Sequence, residues 1–302
     1  MTNIPQIDKS RRPSPVLGAP DASISQFTTQ FVNKLISFHD AIAHGVQFGI
    51  TTTTPTTTIQ DYSGNGLNLS AYNGQDPGTG VPTYDPLGRT PEWIPQGVNG
   101  KPAFTNFNDP TGDAFTDPAG FTDSAWVADI NSACGSGQEI TCYVACTSYD
   151  TTTAPLASPV AADQYTFFPF IKFNAGGGDF QWRYSFLTGS RTTTGPVTKG
   201  VSPAIPRFWD TPSIVQMRKN TSTLDTSIFF NGYDRKTQPL ALPAACTAAS
   251  IGGDYELGGG PYDPTGYIGE IYAVVFAIGV TDEEDALIRS FLSRRYNIAQ
   301  LA

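Results

Sequence analysis

The chain has 302 residues, a formal net charge of −9 and only 15% charged residues, with 30 glycines and 24 prolines. That balance argues against nucleic acid or an anionic membrane surface as a partner, because phosphate contacts need clustered Lys and Arg. It also favours many short strands joined by turns over a helical bundle. No run of 18 apolar residues occurs, so no transmembrane helix is expected. The opening MTNIPQIDKSRRPSPV has a basic pair but no apolar stretch behind it, so the expectation is a protein made in a cytosol without a secretory leader.

Residues 1–20 are polar and proline-rich, with Arg11 and Arg12, and read as an arm that cannot build a core. Ser23 and Gln26 form a capping-box pattern, and Ile24, Phe27, Phe31, Leu35, Phe38 and Ile42 follow at steps of three and four before Gly45. The spacing predicts one amphipathic helix. Its stripe, with Phe27, Phe31, Leu35 and Phe38 at the centre, is bulky enough to bury against its own sandwich or a neighbouring chain, and we assign it to assembly or anchoring. The division expected is an N-terminal arm and helix over 1–45 and a β-sandwich over 46–302, with the boundary near the threonine-rich TTTTPTTT.

From Ile59 onward, aromatic and β-branched runs alternate with the turn clusters DYSGNG, NGQDPGTG, NDPTGD, DPAG, NAGGGD and GGGPYDPTG, as in a sandwich or jelly roll. In ITCYVACTSY, Ile140, Cys142, Val144 and Cys146 share a strand face. Core thiols, a disulfide through Cys134 or Cys246, and metal ligation all remain open for these cysteines. Residues 213–236 read as two antiparallel strands that end at an Asn-Gly turn. Tyr267 to Ile278 is nearly all apolar, with Glu270 its one charge, and reads as a strand covered on both faces. Thr281 and Glu284 then form a capping box. The helix that follows has acids in its first turn, Arg294 and Arg295 in its last, and an apolar stripe of Leu287, Ile288, Phe291 and Leu292 that packs it back onto the sheet.

Three segments, IQDYSGNGLNLS followed by GVNGKPAFTNF, the hairpin 213–236, and GYIGEIYAVVFAIGVTDEEDALIRSFLSRRYNI, resemble in order the concanavalin A-like lectin/glucanase superfamily in its laminin-G-like form. The resemblance spans about residues 59–300 and is thin between 110 and 210. It implies an all-β fold, two antiparallel sheets in a jelly-roll sandwich with rim loops, here with an N-terminal arm and helix and a C-terminal helix packed on the sheet. The tryptophan-containing strand that usually precedes SGNGN has no counterpart, which leaves the first strand unassigned.

The glucanases of that superfamily carry two strand carboxylates facing one side, as retaining hydrolysis requires. The sequence has no such strand, and a non-enzymatic protein is expected. Glu270, alone on its strand, is read as paired with a cation or set at the rim. His39 and His44 lie five apart, off the spacing of helical zinc ligands, so neither is read as catalytic. Asp109, Asp113, Asp117 and Asp123 crowd one region, where calcium ligation by Asp109 and Asp113 stands beside plain turn capping; no other cofactor is expected. For glycan binding, Trp93, Trp126, Trp182, Trp209 and Tyr262 are the aromatic candidates, each with a core role as its alternative, and Tyr262 with Asp263 in a glycine-rich loop is the site chosen. Jelly rolls of this kind are frequent in phage virion proteins. The function expected is therefore a virion structural protein, a capsid decoration or tail-fibre module at the virion surface. It would be homo-oligomeric, held to other virion proteins through residues 1–45 and open to a host glycan. A stand-alone glycan-binding protein or glycoside hydrolase is the alternative.

Overall fold

The computed structural model describes residues 22–72, 74–75, 82–83, 90–105, 120–134, 136–148, 154–155, 157–161, 168–173, 180–185, 197–201, 212–219, 225–239, 246–251 and 269–299. Four helices are described, α1 (Ala22–Gln30), α2 (Ala41–Phe48), α3 (Ser124–Cys134) and α4 (Asp282–Tyr296). The principal strands are β1 (Leu35–Asp40), β2 (Leu69–Tyr72), β3 (Glu92–Ile94), β4 (Ala103–Thr105), β5 (Gly120–Thr122), β6 (Ile140–Ser148), β7 (Ser213–Lys219), β8 (Asp225–Phe230), β9 (Tyr233–Pro239), β10 (Cys246–Ile251) and β11 (Gly269–Ile278).

The larger sheet runs β9-β8-β7-β6-β11-β4-β3 and ends at the short strand Thr54–Pro55, with β1 also paired to β11. The smaller sheet runs from Ala157–Ala161 through β10, β5 and β2 to Thr58–Ile59. A further sheet joins Ala154–Pro155, Phe168–Phe173, Phe180–Ser185 and Val197–Val201. All the pairings are antiparallel. The fold is thus mostly β with antiparallel sheets, as a β-sandwich requires.

The closing strand β11 is the axis of the molecule. Its ten residues are all buried, with β6 along one edge and β1 and β4 sharing the other. A continuous apolar sequence is what a strand covered on both faces demands. One face carries Ile271, Val274, Phe276 and Ile278, packed with Cys142, Val144 and Cys146 of β6 and with Leu69, Phe121 and Ile251 of the smaller sheet. The other carries Tyr272, Ala273, Val275 and Ala277, packed with Phe27 and Phe31 and with Ile288, Leu292 and Tyr296 of α4. Two adjacent residues, Tyr272 and Ala273, fall on the same face because the register slips there: Ala145 opposes Ala273 while Cys146 opposes Ile271. Tyr272 is the extra residue of a β-bulge.

The single helix expected over residues 23–45 is corrected to α1, β1 and α2. β1 is buried on both faces, so its apolar residues continue the helical spacing without being helical. Asp40 ends the strand and caps α2, its carboxylate accepting from the Ala43 amide at 2.7 Å. Gly45 lies inside α2 against Trp93, whose ring a Cβ at that position would meet at 2.3 Å; the helix ends at Gly49, at φ +62°. Residues 35–40 hydrogen-bond into the sheet beside β11, so the boundary drawn at residue 45 cuts through the sandwich. β1 is also the first strand that the sequence left unassigned.

The capping box at Thr281 and Glu284 forms as expected. Ile288 and Leu292 face the sheet, but Leu287 is 47% exposed, a correction to the stripe assigned to α4. Residues 213–239 form a three-stranded meander, β7, β8 and β9, with the Asn-Gly turn between the last two. Cys142 and Cys146 are buried in the core, and burial pushes the Cys142 thiol up.

Candidate functional site

Tyr262, Asp263, Asp109 and Asp113 lie outside the described residues, as do Asp117 and Trp209. Asp123 caps α3, accepting from the amides of Ala125 at 2.7 Å and Trp126 at 3.2 Å. Trp93 and Trp126 are core side chains whose indoles donate to the Ala41 carbonyl and the Ser37 hydroxyl. Neither offers a face to a sugar. Phe27, Phe31, Leu35 and Phe38, expected at an assembly surface, are buried within this chain; Phe27 stacks on Phe291 of α4 with ring centroids 4.1 Å apart. Among the described residues, no group of three His, Cys, Asp or Glu is placed to hold a metal ion. Nor is any helix long and apolar enough to cross a membrane.

The segments that carry the family resemblance meet as structural clamps. In the DYSGNG loop, the Asp61 carboxylate accepts from the amides of Phe38, Ser63 and Leu67 and from the Ser63 hydroxyl, at 2.7 to 3.0 Å. Asn65 donates to the carbonyls of Leu35 and Ile36 at the bulge of β1. The loop turns through Gly64 and Gly66 at φ +90° and +75°, a region glycine enters without strain. The motif therefore fastens the loop along β1, the strand that pairs with β11.

The second clamp centres on Glu270, which is 2% exposed. It accepts from the Val98 amide at 2.9 Å and from the Tyr272 hydroxyl at 2.6 Å. Tyr272 in turn meets the Thr147 hydroxyl at 2.5 Å, and burial, with the Glu270 bond behind it, pushes its phenol far up. Gly97 passes so close that a Cβ there would lie 2.2 Å from a Glu270 oxygen. Asn99 of the same loop donates to the Tyr296 carbonyl at the end of α4. The rim position expected for Glu270 is thus corrected to burial, with an amide and a phenol among its partners.

Asp285, read in the sequence as a first-turn charge, is also buried. It accepts from Tyr143 at 2.7 Å, from Gln216 at 2.5 Å and from Arg289 at 2.9 Å, and so bolts α4 to β6 and β7. His39 and His44 are core groups. The His39 Nδ1 lies 3.0 Å from the Gln60 carbonyl, and His44 packs against Phe48 and Phe104. Burial lowers both, His44 to about 4.

An open site among the described residues is a cleft of about 460 Å³ between α1, the start of α2 and α4. Its walls carry Lys101, Arg294 and Arg295 beside Gln26 and Gln30, over apolar side chains that include Phe27, Leu287 and Phe291. Arg295 is neutralised by Asp40 at 2.6 Å and donates to Ser23; Lys101 and Arg294 have no carboxylate partner among the described residues. Among the described residues, no acid, His or Cys lines the cleft. The arrangement can hold an anion beside an apolar group.

No protein-family model matches the chain, and no curated protein matches it by sequence. Solved structures do. A GH54 α-L-arabinofuranosidase is 13% identical over 90% of this chain and 65% of its own, with a TM-score of 0.54. Domain 4 of an extracellular GH43 arabinanase from Geobacillus stearothermophilus, in complex with arabinotriose, is 11% identical over 87% of this chain and 98% of that domain, with a TM-score of 0.46. The CBM40 of a Ruminococcus gnavus sialidase, bound to α2,3-sialyllactose, is 13% identical over 56% of this chain and 91% of its own, with a TM-score of 0.40. These are carbohydrate-binding and glycoside-hydrolase proteins, and the likeness to the arabinofuranosidase is one of fold.

Proposed function

We propose that this chain is a non-enzymatic, glycan-binding β-sandwich, displayed as a structural module on the surface of a virion. The observation that carries the non-enzymatic part is the state of its strand carboxylate. Glu270 is buried, with Val98 and Tyr272 donating to it, so it is not open to a glycosidic bond, and hydrolysis needs two carboxyls that are. The sandwich shared with carbohydrate-active proteins supports sugar recognition. Tyr262 and Asp263, in their glycine-rich loop, are the proposed sugar contacts: an aromatic face for the pyranose and an acceptor for its hydroxyls. Placement on a virion rests on the sequence resemblance alone.

The test is a glycan array with the full chain beside a Tyr262→Ala/Asp263→Ala variant, together with a reducing-end assay on the glycans that bind. Binding that the variant loses, without release of reducing ends, is the expected result. Hydrolysis that disappears in Glu270→Gln would establish the enzymatic alternative, and a flat array would remove sugar recognition altogether.

A further inference from the structure

The outer line of α4 is self-complementary. Glu283, Leu287, Ser290 and Arg294 stand at spacings of four, three and four, which places them in one row along the helix. Read in either direction the spacing is the same. An acid occupies one end and a base the other, with Leu287 and a small serine between.

The row is open. Glu283, Leu287 and Arg294 are exposed and Ser290 is half-buried, and Leu287 is among the large apolar side chains most open to solvent. Neither Glu283 nor Arg294 has an ion-pair partner among the described residues, whereas Lys34, Arg218, Arg289 and Arg295 each have one. Beside the row lies the cationic cleft, which Leu287, Phe291 and Arg294 line.

We propose that α4 is the interface of a two-fold dimer, in which it pairs antiparallel with α4 of a second copy. The axis passes between Leu287 and Ser290. Glu283 of each copy then faces Arg294 of the other, and Leu287 lies over the partner's Ser290, at the edge of the cleft beside Phe291. A two-fold contact requires one patch that complements itself, and this row meets that requirement. The second copy also supplies the anion that the unpaired Arg294 lacks. Serine at the crossing and Ala286 one turn away let two helices approach closely.

A helix of this length is about 22 Å long, so a contact made by α4 alone lies below the standard interface size and predicts a weak dimer, dissociating in the micromolar range. The experiment is sedimentation velocity of the full chain over a concentration series. Each substitution counts twice across a two-fold axis, so Glu283→Arg alone and Arg294→Glu alone should each weaken the dimer about tenfold or more. The double swap, Glu283→Arg with Arg294→Glu, should restore it. Leu287→Asp should abolish it while the monomer keeps its far-ultraviolet circular dichroism, since about half of the side chain is already open to solvent. A chain that stays monomeric at every concentration overturns the proposal. So does a dimer that ignores the single reversals, or one that the double swap fails to rescue.

Discussion

The Asp40 carboxylate and the Arg295 guanidinium meet through two bonds, Nε to Oδ2 at 2.6 Å and Nη2 to Oδ1 at 2.8 Å, with both side chains buried. They join the end of β1 to the last turn of α4, and so fasten the first described segment of the chain to the last. Asp40 also caps α2, and Arg295 reaches Ser23 of α1; one ion pair therefore positions three helices. A buried pair gives little net stability over an apolar pair of the same shape, but breaking one side leaves a charge in low dielectric. Arg295→Met should cost about 3–5 kcal/mol, and adding Asp40→Asn to it should recover part of that loss. Urea unfolding of the two single variants and the double variant measures the coupling; strict additivity would contradict the account.

The SGNG loop holds β1 through side-chain bonds from Asp61 and Asn65. Asp61 satisfies four donors at once, one of them the Phe38 amide within β1. Its replacement by Ala leaves all of them to find other partners, and bonds to a charged acceptor are worth about 1.5–3 kcal/mol each. Asp61→Ala should therefore destabilise by at least about 3 kcal/mol. Hydrogen exchange should show the loss first at the β1 amides. Uniform loss of protection across the molecule would mean that the loop is no local clamp.

What was legible in the sequence follows from how local each signal is. The α4 capping box and the apolar run of β11 are written in consecutive residues, and both stand in the structure as read. The same holds for the face shared by Ile140, Cys142, Val144 and Cys146. The stretch from Phe27 to Ile42 misleads because a strand buried on both faces and an amphipathic helix can show the same apolar positions. Asp40 was the usable clue, an N-cap residue in the middle of the apparent stripe. α3 had a similar clue: Asp123 stands before Trp126, Val127 and Ile130 at helical spacing, but it was grouped with the aspartates of the neighbouring turns and the helix went unread. The surroundings of Glu270 were out of reach, since its partner Val98 lies 172 residues away. The cationic cleft was hidden for the same reason: α1, Lys101 and α4 come together only through the fold. The proposed sugar contacts Tyr262 and Asp263, and the calcium candidates Asp109 and Asp113, fall outside the described residues.

Gly97 is required by the Glu270 clamp. A methyl group there would overlap the carboxylate, and that carboxylate is held on its other side by Tyr272 and through it by Thr147. The clash must move either the loop or a fully bonded side chain. Gly97→Ala should cost about 1–3 kcal/mol, in the range of overpacked cores. Glu270→Gln keeps an acceptor for Val98 and Tyr272 and should cost about 1–2 kcal/mol. If the clash is the cause, Glu270→Ala should relieve Gly97→Ala when the two are combined, so that the double variant is more stable than the sum of the two losses predicts. Thermal unfolding of these variants gives the answer directly.

Stability should fall on mild acidification, and His44 should account for a measurable share of the fall. Its folded pKa lies at about 4, lowered by burial from 6.5, so between those values the unfolded chain binds a proton that the folded chain refuses. A state that binds more protons gains as pH drops, and here that state is the unfolded one. The loss therefore begins near pH 6.5, steepens to about 1.4 kcal/mol per pH unit, and would end near pH 4. His39, lowered chiefly by burial with Asp61 opposing, acts in the same direction. Between pH 6.5 and 5 most paired carboxylates remain ionised, which makes that window diagnostic. Urea midpoints taken there should slope downward for the native chain, less for His44→Gln, and least for His44→Gln with His39→Gln. An unchanged slope in His44→Gln would mean that the imidazole gains a proton in the folded protein and is not held neutral by its packing against Phe48 and Phe104.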